Sequence, residues 1–87
     1  MNLIIDTNLF LAICRGEEEA GRIFSKVIRV CDLVLVSESI ILEYVNVLSR
    51  VGLGRVVHVK LAEIDAHKKL RNLRNLKAVD SFTTTKV

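Results

Sequence analysis

Proline and tryptophan are absent from this 87-residue chain, and its aromatic complement is three Phe and one Tyr. Without proline, no segment is barred from helix or strand by a fixed φ and a missing amide donor. The elements must therefore be read from apolar spacing, caps and glycine. So few aromatics leave no interleaved stacking platform of the kind that single-strand nucleic-acid binders use. The two cysteines, Cys14 and Cys31, both fall in apolar helical patterns, which reads as buried free thiols in a reducing compartment. No apolar run approaches the roughly 20 residues that cross a bilayer. Asp6 interrupts the apolar start, which carries no basic leader, so neither a membrane span nor a signal peptide is expected. Cytoplasmic residence is the resulting expectation.

What is abundant is apolar residues, 51% of the chain. A single domain spanning 1–87 buries only a modest share of its surface, so that fraction exceeds what one small core absorbs. Self-association, or loss of part of a larger fold, would account for the excess. Charge is unevenly placed. Residues 1–50 hold five Lys/Arg against seven Asp/Glu, and residues 51–87 hold eight against three. The front half can supply carboxylates while the second half faces a polyanion or simply forms a solvated surface.

Leu3-Ile4-Ile5 is a short β-branched run suited to a buried parallel strand. Thr7 and Asn8 can cap a helix through Leu9–Cys14, which Gly16 closes; Glu17, Glu18 and Glu19 open the next helix, where they complement its dipole. Ala20, Ile23, Phe24, Val27, Ile28 and Cys31 form an amphipathic stripe. Leu33–Val36 reads as a second strand. Ser37 caps a third helix from about Glu38 to Val51, with Gly52 and Gly54 as its stop. Residues 55 to about 75 are helical in composition, but their apolar positions change face, implying a break near Asp65 or a helix buried on two sides. Residues 79–85 have strand propensity without a clean pattern. The order β-α-α-β-α-α-β predicts an α/β fold with a small parallel sheet of two or three strands flanked by helices.

Ligands bind beyond the carboxyl ends of strands in such sheets. Asp6-Thr7-Asn8 comes after the first strand and Ser37–Glu43 after the second. Glu43 sits at the margin of its helix's apolar stripe and can lean back toward the strand ends, because helical side chains point toward the N-terminus. Two carboxylates with water and substrate phosphate suit Mg²⁺ or Mn²⁺. Asn8 could hold Asp6 or bind a metal-bound water. Plainer roles are also open: Asp6 as a helix cap, and Glu43 as a solvated helical acid near Arg50 and Asn46.

Together, the apolar strand, Asp6-Thr7-Asn8, Leu33-Val34-Leu35-Val36-Ser37 and a helix carrying Ile41-Leu42-Glu43-Tyr44 resemble the front half of a PIN domain. The resemblance covers residues 1 to about 51 and continues loosely beyond. It implies that Asp6 and Glu43 are metal-holding, catalytic acids of a Mg²⁺- or Mn²⁺-dependent endoribonuclease, toxin-like, with a homodimer and an antitoxin protein as implied partners. Basic residues of the second half (Lys60, Lys77 and above all Lys68, Lys69, Arg71 and Arg74) would then contact RNA phosphates. Members of that family are longer and carry a third and usually a fourth acid. Asp80, after Lys77-Ala78-Val79, is open as a third. The chain otherwise reads as a truncated or degenerate PIN domain, whose alternative role is a non-catalytic dimerisation or protein-interaction module. The apolar excess predicts a homodimer at micromolar concentration. Light scattering checks this, and a monomer mass would count against it.

Overall fold

The computed structural model describes residues 1–73 and 84–86. Four helices and four strands alternate in it: β1 (Asn2–Ile4), α1 (Thr7–Cys14), α2 (Glu18–Val30), β2 (Leu33–Ser37), α3 (Glu38–Ser49), α4 (Gly54–Ala66), β3 (Leu70–Leu73) and β4 (Thr84–Lys86). The sheet order is β3-β2-β1-β4, and every neighbouring pair is parallel. Asn2 pairs with Leu33 on one side and Thr84 on the other, while Val34 pairs with Leu70. No helix among the described residues is long and apolar enough to cross a membrane.

Local chemistry explains most boundaries. Gly16 (φ +78°) and Gly52 (φ +76°) adopt the left-handed conformation just beyond α1 and α3, where a side chain would be strained. Glu18 and Glu19 occupy the first turn of α2. The Ser37 hydroxyl accepts a hydrogen bond from the Ile40 amide at 3.2 Å, which caps α3. Central strand β2 is apolar through Val36 because Val34, Leu35 and Val36 are all buried.

The α/β class, the small parallel sheet and the order β-α-α-β-α-α-β are as expected, and the further short strand β4 brings the described sheet to four strands. Two expectations need correction. The fourth helix ends at Ala66, so the break near Asp65 is the right choice of the two. Strand β3, in place of more helix, then occupies residues 70–73. Lys68 takes a left-handed φ of 59° in the turn between them. The Leu70-Arg71-Asn72-Leu73 spacing is compatible with a helix, but pairing with buried β2 decides for strand. Gly54 does not stop α3; it is the first residue of α4. Of the strand-like segment expected at 79–85, positions 79–83 lie outside the described residues, as does Asp80.

All four helices bring buried residues into one cluster with Leu3, Val34 and Val36 of the sheet and Ile5 just beyond β1. Leu35, at the intervening position of β2, is fully buried outside that cluster. Both cysteines are free and buried, as expected from the sequence. Burial pushes the Cys14 thiol up to about 11; nearby Lys60 opposes this and Glu63 adds to it. The native state thus keeps the proton at alkaline pH while the unfolded thiol, with an ordinary pKa near 9, loses it. The unfolded state binds fewer protons above that pH, so stability must fall as pH rises from about 9 to 11. Urea denaturation across this range should show a loss on the order of 1–2 kcal/mol that the Cys14→Ala variant lacks.

Candidate functional site

Asp6 and Glu43 arrive at one place from separate elements. Asp6 is the N-cap position of α1, with extended backbone (φ −61°, ψ 145°), and its carbonyl accepts the Phe10 amide at 2.9 Å. Asp6 thus occupies the cap position, but its side chain makes no capping hydrogen bond there. Glu43 lies in the middle of α3 and is exposed. Both line a cleft of about 190 Å³ together with Ile4, Ile5, Thr7 and Ile40. Among the described residues, Glu43 makes no hydrogen bond or ion pair.

Tyr44 registers the same convergence. Burial is the largest cause raising its phenol above the ordinary value, and the negative charges of Glu43 and Asp6 add to it. One phenol therefore feels both carboxylates. Its hydroxyl donates to the Ile5 carbonyl oxygen, and its ring stacks on Phe10 with centroids 4.2 Å apart and planes 13° from parallel. Both rings are buried.

The cleft lies beyond the carboxyl end of β1, against α3, which follows the neighbouring β2. From β1 the chain moves to β2 and on to β3, whereas β4 pairs on the opposite side of β1. Open parallel sheets take their ligands beyond the strands' carboxyl ends. Asp6 stands at the carboxyl end of β1.

The remaining candidates are dispersed. Asn8 is exposed on the first turn of α1, and it is Thr7, read from sequence only as a cap, that lines the cleft. Its position next to Asp6 was the available signal. Lys69 donates through Nζ to the carbonyl oxygens of Ile28 and Arg29, the latter at 3.2 Å, near the C-terminus of α2. That is a favourable place for a cation, facing carbonyls that the helix leaves without partners. Lys68 and Lys69 precede β3, at the amino ends of the strands, and Arg71 is exposed within β3 opposite Leu35. These cations are thus on turn and strand, not on the helix expected, and the fold does not gather them around the Asp6–Glu43 cleft. Arg74 lies outside the described residues.

Among the described residues, no group of three or more His, Cys, Asp or Glu is placed to hold a metal ion. The pair Asp6 and Glu43 offers the hard oxygen donors that Mg²⁺ or Mn²⁺ prefers, in a number that leaves positions for water and substrate phosphate. The donor set fits such an ion in kind. The chain matches no family model, no curated protein and no solved structure.

Two like charges share a cleft, and one of them, Glu43, makes no hydrogen bond or ion pair with the described fold, which is the signature of a residue that stability alone does not require. Glu43→Gln should therefore melt at the wild-type temperature or above it. A fall of several degrees, followed by circular dichroism, would assign Glu43 a structural role instead.

Proposed function

We propose that this chain is a PIN-type, metal-dependent endoribonuclease, toxin-like and cytoplasmic, acting on RNA as a homodimer that an antitoxin protein restrains. The single observation that carries the reading is the shared cleft of Asp6 and Glu43 beyond the carboxyl end of β1. The size of the cleft favours a polymer over a small metabolite. Pockets that enclose small molecules run from about 300 to 1,000 Å³, and about 190 Å³ admits a hydrated ion and phosphate oxygens but no nucleotide. A substrate would lie across the opening with one phosphate dipping in.

In this reading the carboxylate oxygens of Asp6 and Glu43 hold Mg²⁺ or Mn²⁺. Such an ion, when bound, lowers the pKa of water and neutralises charge on a transferring phosphoryl group. The side chains themselves favour a cation over a bare polyanion, because two neighbouring acids attract the one and repel a phosphodiester. Ile4, Ile5 and Ile40 line the cleft as its apolar walls. Thr7 adds a hydroxyl able to orient a bound water.

A second reading, a non-catalytic dimerisation or protein-interaction module, is favoured by a different observation. Leu42 is 53% exposed and lines a groove of about 660 Å³ with Glu38, Ile41, Asn72 and Leu73. The two readings separate cleanly. Under the nuclease reading, Asp6→Asn weakens Mn²⁺ binding at least about tenfold, equivalent to about 1.4 kcal/mol, and abolishes RNA cleavage while the fold persists. Mn²⁺ titration followed by electron paramagnetic resonance, beside a cleavage assay, checks both. Unchanged binding and unchanged assembly in Asp6→Asn would leave the module reading in place.

A further inference from the structure

We propose that Tyr44 is a positioning residue of the Asp6–Glu43 site, its hydroxyl bond to the Ile5 carbonyl oxygen setting the separation of the two carboxylates. This inference rests on the metal-site reading above.

The argument begins with chain connectivity. Tyr44 is next in the chain after Glu43 and Ile5 precedes Asp6, and consecutive Cα atoms are held about 3.8 Å apart. A hydrogen bond between Tyr44 and Ile5 therefore links the two acids through one residue on either side. Apart from the Ser37 cap where it leaves β2, α3 is placed by apolar packing, which carries little directional information. At the height of Glu43, nearly two turns past that cap, packing alone would let the helix rotate a little at small cost. A hydrogen bond does not, because it weakens steeply with distance and angle.

The choice of residue points the same way. Phenylalanine would fill this 2%-exposed position and keep the stack on Phe10. What tyrosine adds is a buried hydroxyl, tolerable only because it finds an acceptor. That acceptor lies one residue beyond the end of β1, at the point where the chain turns into Asp6. The stack with Phe10, itself on α1, steadies the ring from the helix that Asp6 begins.

Three chains test the proposal through binding of Mn²⁺ alone, with no dependence on RNA cleavage. Tyr44→Phe should fold with a cooperative transition yet bind Mn²⁺ about tenfold more weakly, the scale seen when groups that orient metal ligands are lost. Leu61→Ala, in the core part of α4, should lower the melting temperature and leave Mn²⁺ affinity unchanged. Asp6→Asn should lose binding. Wild-type affinity in Tyr44→Phe overturns the proposal, as does an equal loss in Leu61→Ala, which would trace the effect to stability. Equal binding by wild type and Asp6→Asn removes the metal site itself, a separable failure. Should Tyr44→Phe not fold, the wild-type chain decides. Tyr44 is its one tyrosine and tryptophan is absent, so its emission reports on this residue. Mg²⁺ should produce a saturable emission change in wild type that Asp6→Asn lacks; its absence in wild type, with Mn²⁺ bound, overturns the proposal.

Discussion

The contact of α3 with the end of β1 is the constraint on which the remaining structure turns. Phe10 and Tyr44 are among the largest fully buried side chains, and they join α1, α3 and the carboxyl end of β1 in a single stack. Packing and bonding contribute differently. A buried aromatic pair gives about 0.5–1.5 kcal/mol beyond its area burial, whereas a net hydrogen bond gives about 1 kcal/mol. Packing therefore supplies most of the stability. The bond supplies direction, since a phenol left without its acceptor would cost about 1–3 kcal/mol.

Charge is arranged around this joint with the same economy. The carboxylates converge at the carboxyl edge of the sheet, while Lys68 and Lys69 precede β3 at the opposite edge. Lys69 faces the carbonyls ending α2, and the N-terminal ammonium pairs with Asp32 just before β2. These cations serve the amino edge of the fold. The cleft brings two acids together, an arrangement that favours a cation over an unaccompanied anion.

How much of this was legible in the sequence varied by segment. The stripe of Ala20, Phe24 and Ile28 gave α2, and Ser37 marked the start of α3, because both signals act within one helical turn. Gly16 and Gly52 announced their left-handed turns. Residues 70–73 misled, since leucines three apart share a helix face but fall on opposite faces of a strand, and only pairing with the buried β2 makes the segment a strand. Lys69 misled in a similar way: its charge was evident, but its carbonyl partners lie in a helix some forty positions earlier.

Sequence alone determined the local conformations of the front half and placed two acids beyond the ends of two strands. It did so because caps, periodicity and glycine act over a few neighbouring residues. Tertiary structure decided that β3 and β4 complete a four-stranded sheet, that Thr7 rather than Asn8 lines the cleft, and that Asp6 and Glu43 share it. Those outcomes depend on strand pairing and helix docking between distant segments, whose free energy no local pattern records.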